Sequence, residues 1–404
     1  MEQNGGEVLG QGGYGCIVSP PLKCKNHFKN IPYSIDKRFI SKIVEYDEDD
    51  DQENMNEINI GNKLYKIDPN QKFFSPIING CHFYKQKSND LEYLDTYFDD
   101  SDSDSDDNIS NKNKCNIYNH QDYLNLISKN AGISLFDALN YSSEDILRFL
   151  KKNYILIFKH LCKGLEIMHK NNILHRDIKP ENIMIKYNSD RNNSRITFID
   201  FGLAVECKQK YSNKEFEDLT YYGTNGYKPL EIIIINYMLD FLHKNRYYES
   251  KTFAKDVIDS TYNEFKEYSE DYYSTFHFVE NGFKYEGNRL KKNVTNHKIG
   301  KYGNKNIIKN IFEYLYRDYI NNKILEKLVI DPKYIFKWDV FSLGLVFAEI
   351  LIILDINNQK AFNLVNKMVA PYYWDRYNIK ECLEDSLFTQ IKTSKKTQIK
   401  TKKH

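Results

Sequence analysis

Residues 175–182 read His-Arg-Asp-Ile-Lys-Pro-Glu-Asn, and no other feature of the sequence restricts the fold of this chain so strongly. The triplet Asp200-Phe201-Gly202 follows shortly afterwards. Between the two motifs, Asn182–Ile185 and Arg195–Ile199 are short apolar segments on either side of a polar stretch, a pattern that predicts two short strands joined by a turn. A match of this length does not arise by chance, so we interpret both motifs as parts of one functional site.

The residue types in these motifs suit phosphoryl transfer, a reaction that depends on positioned groups and on neutralised charge. Asp177 can accept the proton of an attacking hydroxyl group, and Lys179 places a positive charge beside the group that is transferred. Asn182 and Asp200 carry hard oxygen atoms, which Mg²⁺ prefers as ligands. We therefore predict Asp177 and Lys179 as catalytic residues, and Asn182 and Asp200 as metal ligands.

The N-terminal segment contains Gly10-Gln11-Gly12-Gly13-Tyr14-Gly15, which matches G-x-G-x-x-G. A plain glycine turn or a dinucleotide site also fits this pattern, but a dinucleotide site requires a helix that starts at Gly15. Here Cys16-Ile17-Val18 continues as a strand, which favours a strand–loop–strand flap over phosphate groups. The predicted flap consists of Leu9, Gly10, Gln11, Gly12, Gly13, Tyr14, Gly15, Cys16, Ile17 and Val18.

A flap over phosphates needs a cation nearby, and Lys42 on the apolar strand Phe39–Val44 is the best candidate. Lys37 is a rival without a strand pattern around it. The carboxylate partner is expected on the next helix, Asn54–Tyr65, where Glu57 fits best and Glu53 is a weaker alternative. An ion pair between Lys42 and Glu57 would orient the amine toward phosphate, whereas the plain alternative is an exposed glutamate.

In these motifs the chain resembles the eukaryotic protein kinase superfamily, over roughly residues 5–388 with interruptions. The resemblance implies an α+β, bilobal fold with a small β-rich N-lobe and a larger helical C-lobe. It also implies ATP and Mg²⁺ as cofactors, with the flap, Lys42 and Glu57 at the nucleotide, Asp177 as the base, and Asn182 and Asp200 at the metal. Lys179 resembles the serine/threonine branch, which implies protein substrates with serine or threonine hydroxyls.

Downstream, residues 223–227 (Gly-Thr-Asn-Gly-Tyr) resemble the substrate-facing segment of this family, and Asp339 lies in what resembles the central C-lobe helix. Arg376 resembles the arginine that pairs with Glu231. In such kinases an arginine like Arg176 can pair with a phosphate on the activation segment. The candidate phosphate acceptors on this segment are Ser212, Thr220, Tyr221 and Tyr222. We predict that phosphorylation of Ser212 or Thr220 raises activity.

The predicted kinase domain covers residues 1–391, with an N-lobe at about 1–130, a C-lobe at about 131–391 and a basic tail at 392–404. The acidic run at 99–107 predicts a disordered insertion over 99–114. A second insertion at about 245–335 is either a docking element for a protein partner or an elaborated surface, and its aromatic residues favour packed structure. Asp355–Leu364 leaves little room for the helix that the family has there.

Two departures from the family pattern support the alternative of a pseudokinase, a binding scaffold without catalysis. Ile40 stands where the family has alanine above adenine, which predicts a narrower pocket. Gly61 stands where an apolar residue is usual, so we expect lost packing around that helix. A third interpretation is a small-molecule kinase. The sequence Lys179-Pro180-Glu181 and residues 223–231 disfavour it.

Composition excludes several other classes. The formal net charge of +1 gives no field that favours nucleic acid or a membrane as partner. The N-terminus shows no secretory signal, and the seven cysteines have no paired spacing, which predicts free thiols in a reducing compartment. We therefore expect a soluble intracellular protein.

Overall fold

The computed structural model describes residues 7–12, 15–24, 28, 31–46, 52–84, 122–188, 194–208, 213–221, 223–224, 226–244, 253–268, 276–279, 282–285, 305–322 and 332–389. The chain divides into two compact units. The first comprises residues 1–132 together with Ile199–Gly202, and the second comprises the rest. The first contains an antiparallel sheet and the second is mostly helical, so the predicted α+β fold with a β-rich and a helical part is confirmed.

The first unit is built on a five-stranded antiparallel sheet with the strand order β1-β2-β3-β5-β4. Its strands, which carry the flap and the predicted cation, are β1 Glu7–Gly12, β2 Gly15–Ser19, β3 Phe39–Glu45, β4 Asn79–Tyr84 and β5 Asp122–Lys129. β1 pairs with β2, and this confirms the predicted strand–turn–strand at the glycine motif. Gly13 and Tyr14 lie outside the described residues.

Helix α1 (Gln52–Ile67) packs on this sheet through Ile58, which is buried against Val44, Ile77, Leu124 and Leu126. The expectation that Gly61 leaves a gap in the packing is wrong. A Cβ at this position would lie 2.9 Å from the carbonyl oxygen of Ile77, closer than carbon and oxygen normally approach. The backbone of Ile77 therefore fills the space that a side chain would take, and α1 lies directly against it.

The prediction that all seven cysteines are free thiols is wrong. Cys24 and Cys81 form a disulfide across 57 positions of sequence, and both residues are buried. Cys16 is disulfide-bonded as well, whereas Cys162, Cys207 and Cys382 are free. Sequence spacing gave no hint of the pair, because the sheet, rather than the local chain, brings the segment after β2 beside β4. One of the two grounds for expecting a reducing compartment is thereby lost.

The second unit is organised around helix α8 (Pro332–Ile353), which is apolar on all sides and almost completely buried. Helix α3 (Glu144–Lys170) packs against it, and the rings of Phe158 and Phe347 stack at 3.7 Å. The predicted pair of strands after the long motif is confirmed as β8 (Ile183–Lys186) and β9 (Arg195–Phe198), paired antiparallel. These strands hold the two motifs at the ends of one hairpin.

Short elements complete this unit. β6 (Ile133–Ser134) joins β8 and β9 in one sheet, and β7 (Ile173–Leu174) pairs with β10 (Val205–Glu206). The remaining helices, apart from those of the insertion, are α2 Leu135–Asn140, α4 Asn213–Tyr221, α5 Leu230–Lys244, α9 Gln359–Met368 and α10 Ile379–Glu384. The expectation that Asp355–Leu364 leaves little room for a helix is wrong, because α9 begins there, with Asn358 as its N-cap.

The insertion contains helices α6 (Phe253–Tyr268) and α7 (Lys305–Asn322) and the hairpin of β11 (Phe276–Val279) with β12 (Gly282–Tyr285). Packed structure is therefore confirmed for its described parts. Apolar residues of α7 are fully buried, namely Ile308, Ile311, Phe312 and Leu315. The choice between a docking element and an elaborated surface stays a prediction.

The acidic run at 99–107 and the basic tail at 392–404 lie outside the described residues. Within the described part of the chain, no helix combines the length and apolar character needed to cross a bilayer.

The disulfide gives a testable stability effect. In the chain-entropy model, closing a loop of 57 positions lowers the entropy of the unfolded chain and thereby stabilises the folded state by about 4 kcal/mol. The double variant Cys24→Ser/Cys81→Ser should therefore lower the free energy of opening of β4 and β5, measured by amide hydrogen exchange. Cys207→Ser, which replaces a free thiol, is the control. Tryptophan fluorescence should stay unchanged, since Trp338 and Trp374 both lie in the second unit. Equal exchange in the double variant and the wild type would contradict the prediction.

Candidate active site

In the first unit, Lys42 occupies the centre of β3, paired with Ile17 of the flap strand on one side and Leu126 on the other. Its Nζ donates a hydrogen bond to Oε2 of Glu57 at 2.9 Å. Of the two glutamates considered, Glu57 is thus the partner. Lys37, the rival cation, lies exposed outside the strand.

The second carboxylate near Lys42 is that of Asp200, whose Oδ1 lies 3.9 Å from Nζ. Burial lowers the pKa of the Lys42 ammonium, but the charges of Glu57 and Asp200 outweigh burial and hold the pKa above its ordinary value. The side chain of Lys42 retains 21% exposure. Lys42 is therefore a cation at neutral pH that two carboxylates hold in place.

The backbone at Asp200 is unusual. Asp200 has φ of +59°, a conformation that residues other than glycine rarely adopt. Two contacts hold it in place: Phe201 is buried with its ring edge-on to Phe74, and the carbonyl of Gly202 accepts a hydrogen bond from Asn56 Nδ2 at 2.7 Å. Strained residues of this kind persist where the surroundings fix them, and they concentrate at functional sites.

In the second unit, the carboxylate of Asp177 is bound on both oxygens. Oδ1 accepts hydrogen bonds from the backbone N–H of Thr224 at 3.1 Å and from its hydroxyl at 2.5 Å. Oδ2 accepts from Nδ2 of Asn182 at 2.8 Å and lies 3.0 Å from Nζ of Lys179. The same Nζ donates to Thr224 Oγ1 at 2.8 Å, which closes a ring of three side chains.

This environment sets the ionisation of Asp177. Burial raises the pKa of the Asp177 carboxyl, but the charge of Lys179 and the hydrogen bond from Thr224 outweigh it, so the pKa lies below its ordinary value. The residue is therefore an ionised acceptor at neutral pH, as a hydrogen-bond acceptor for a substrate hydroxyl must be.

The loop that carries Asp177 is attached to the core by Asp339 of α8. The two oxygens of Asp339 accept the backbone N–H groups of His175 at 2.8 Å and Arg176 at 2.9 Å. Nε2 of His169 lies 3.2 Å from the same carboxylate. Arg176 has φ of +66°, so Asp339 stabilises a backbone turn that would otherwise be unfavourable.

The pairing expected between Glu231 and Arg376 is present. The guanidinium binds the carboxylate with both nitrogens, at 2.6 Å and 3.0 Å, and both residues are buried. Two parallel bonds of this kind fix geometry as well as charge. The pair holds the start of α5, which follows residues 223–227.

The two predicted metal ligands lie one in each unit, and each carries an oxygen of the kind that divalent cations bind. Asn182 donates through Nδ2 to the carbonyl and the carboxylate of Asp177, which leaves Oδ1 as the atom of this side chain suited to a cation. Asp200 is one-third exposed. Within the described residues, no three His, Cys, Asp or Glu side chains cluster as a metal site.

Of the flap, Leu9 is half-exposed, Cys16 and Val18 are buried, and Ile17 lies between these extremes. The role of the flap at a nucleotide stays a prediction, as does the effect of Ile40 on pocket width.

Sequence reasoning missed Thr224 as a partner of Asp177 and Asp339 as the anchor of its loop. The motif Gly223–Tyr227 pointed at Thr224, but the contact joins positions 47 residues apart.

Comparison with known proteins agrees with the geometry. Residues 107–252 match the family model described as protein kinase domain. Calcium-dependent protein kinase 4 of Plasmodium berghei is 32% identical over 107 residues, which is 26% of this chain and 19% of that protein. Myosin light chain kinase family member 4 of Mus musculus is 31% identical over 140 residues, covering 30% and 33% of the two chains. A serine/threonine-protein kinase of Drosophila melanogaster is 33% identical over 106 residues, covering 26% of this chain but 12% of that protein.

The buried pair of Glu231 and Arg376 predicts a large stability effect. Glu231→Gln leaves a buried guanidinium without its counter-charge, which costs about 3–5 kcal/mol. Urea unfolding followed by tryptophan fluorescence measures this, since both tryptophans lie in the second unit. Glu313→Gln, at an exposed pair with Lys309, is the control and should cost less than about 1 kcal/mol. Equal losses in the two variants would contradict the prediction.

Proposed function

We propose that the chain is a protein kinase of the eukaryotic type that transfers the γ-phosphoryl group of ATP to serine or threonine hydroxyls of protein substrates. Residues 107–252 match the protein kinase domain model, and similar proteins are named as protein kinases. The observation that carries this proposal is the surrounding of Asp177, bound by Lys179, Asn182 and Thr224. A carboxylate held on both oxygens has one orientation, and phosphoryl transfer demands orientation more than basicity. The matched segments span between 12% and 33% of the three relatives, so the activity of the whole protein is part of the proposal.

The first unit supplies the groups for the nucleotide. In this proposal the flap, residues 9–18, covers the phosphates, and Lys42 binds their α- and β-oxygens while Glu57 keeps the amine in place. Asp200 and Asn182 are the residues that would hold Mg²⁺, which would neutralise charge on the phosphates. Both ATP and Mg²⁺ are abundant inside cells, and an intracellular location is therefore part of the proposal.

The second unit supplies the groups for transfer. Asp177 accepts the hydrogen bond of the substrate hydroxyl and directs its oxygen at the γ-phosphorus. As the new O–P bond forms, the bond between the γ-phosphorus and the bridging oxygen breaks, ADP leaves, and the hydroxyl proton passes to Asp177. Lys179 stabilises negative charge on the group in transit.

The preference for serine and threonine has two supports. Lys179 lies within the sequence that resembles the serine/threonine branch, and its ammonium bridges Asp177 and the hydroxyl of Thr224. Similar proteins carry serine/threonine-protein kinase in their names.

Replacing the proposed base tests the proposal. Asp177→Asn should lower the transfer rate by about 10²–10⁴, because an amide in place of the carboxylate cannot take up the proton of the hydroxyl. Labelled ATP with a mixture of protein substrates measures transfer, and analysis of the labelled residues identifies serine or threonine. ATP affinity should stay within about twofold, since Lys42 and Asp200 are intact.

Asp145→Asn, at an exposed carboxylate on α3, is the matched control. A wild-type protein that binds ATP but labels no substrate would overturn the proposal and favour the scaffold alternative. Label found only on small molecules would favour the third interpretation.

The pH dependence of transfer tests the contact between Lys179 and Asp177. The reaction needs ionised Asp177, so its rate falls as the pH drops through the pKa of this carboxyl. The charge of Lys179 lowers that pKa, and Lys179→Gln therefore raises it and moves the acidic limb of the single-turnover rate to higher pH. Lys170→Gln, at an exposed lysine of α3, should leave the limb in place. An unmoved limb in Lys179→Gln would show that another group controls it.

A further inference from the structure

Helix α4 lies between the Asp-Phe-Gly triplet and residues 223–227. The backbone carbonyls at its carboxyl end bind an unusual set of side chains. The last four carbonyls of any helix lack partners within the helix. In α4 these belong to Asp218, Leu219, Thr220 and Tyr221, and each accepts a hydrogen bond from a side chain outside the helix.

Three side chains supply these bonds. Nη1 of Arg176 donates to the carbonyls of residues 218 and 219, at 2.8 Å and 3.2 Å. Nδ2 of Asn236, on α5, donates to that of residue 220 at 3.1 Å. Nζ of Lys228 donates to that of residue 221 at 2.7 Å. Two of the three are cations, which the partial negative charge of a helix carboxyl terminus attracts.

Arg176 also fixes the start of the segment. Its Nε donates to the carbonyl of Leu203 at 2.5 Å. One guanidinium therefore joins residue 203, just after the Asp-Phe-Gly triplet, to the end of α4. These are backbone acceptors, in the place where the family resemblance led us to expect a phosphate. Thr220, one of the expected phosphate acceptors, is completely buried.

The end of α4 leads within three residues to the contact with Asp177. Gly223 has φ of +114°, and a Cβ there would lie 2.8 Å from the carbonyl oxygen of Arg176 and 3.2 Å from Cε of Lys228. The chain at Gly223 is thus held between two of the residues that cap α4. The next residue, Thr224, binds Asp177 through its N–H and its hydroxyl.

We propose that Arg176, Lys228 and Asn236 are positioning residues that cap α4 and thereby place Thr224 on Asp177, so that this segment is ordered without a phosphate. The inference rests on the proposed kinase function. It differs from the expectation for Ser212 and Thr220, because the donors that a phosphate would recruit already bind backbone carbonyls.

The first test is dephosphorylation. Protein made in bacteria is treated with a broad-specificity phosphatase and verified by mass spectrometry to lack phosphate on residues 203–231. Its transfer rate should remain within about twofold of the untreated protein. A loss of tenfold or more would overturn the inference.

The second test removes one cap. Lys228→Met should lower kcat about tenfold while the KM for ATP changes less than twofold, because a charge at a helix terminus contributes up to about one such factor. Lys228→Arg should restore most of the rate. Lys208→Met is the matched control: this lysine pairs with Glu215 at the opposite end of α4, and its loss should leave kcat unchanged. Equal rates in Lys228→Met and wild type would overturn the inference, as would an equal loss in Lys208→Met.

Hydrogen exchange separates failure of the inference from failure of the proposed function. Amides of α4 should exchange faster in Lys228→Met and Asn236→Ala than in wild type, and dephosphorylation should not change them. If these results hold in a wild-type protein that transfers no phosphate, the kinase proposal fails while the capping holds. If the amides of α4 exchange at the same rate in wild type and both variants, the capping is wrong whatever the activity. The same holds if their exchange becomes faster only after dephosphorylation.

Discussion

The carboxylate of Asp339 is the contact on which the catalytic loop depends. Asp339 lies on the most deeply buried of the described helices, and its carboxylate accepts two consecutive backbone N–H groups, those of His175 and Arg176. Two such hydrogen bonds to one side chain fix the geometry of the loop. They hold Arg176 in a left-handed conformation, and that conformation sends its guanidinium toward α4 while the next residue, Asp177, faces Lys179 and Asn182. One buried charge thus determines where two functional side chains point.

Several buried ionic groups at the centre of the second unit have specific partners. Glu231 and Arg376 bind each other with two bonds. Lys337, on the same helix as Asp339, donates to the carbonyls of Tyr373 and Trp374. Such groups are costly to bury alone, and losing one partner costs more than the pair contributes. Stability in this unit comes from the apolar surface of α8, whereas the ion pairs select one arrangement of the loops.

Much of this could be predicted from the sequence, because the motifs are local. The hairpin of β8 and β9, the flap strands and the pair of Lys42 with Glu57 all follow from short patterns whose residues lie close along the chain. The prediction failed where contacts join distant positions. The disulfide of Cys24 with Cys81, the bond from Thr224 to Asp177 and the carbonyls that Arg176 binds depend on how elements come together, and no local pattern encodes them. At Gly61 the sequence showed that a side chain was missing, but only the fold shows that backbone occupies the space.

That last feature has a genetic consequence. The atom that Gly61 approaches most closely belongs to the main chain of Ile77, and a main-chain carbonyl is the same in every amino acid. A substitution at a site where two side chains meet can be rescued by shrinking the opposite residue. A smaller residue at 77 leaves this carbonyl in place, so a larger residue at 61 requires the backbone at 77 or the helix that carries Glu57 to move.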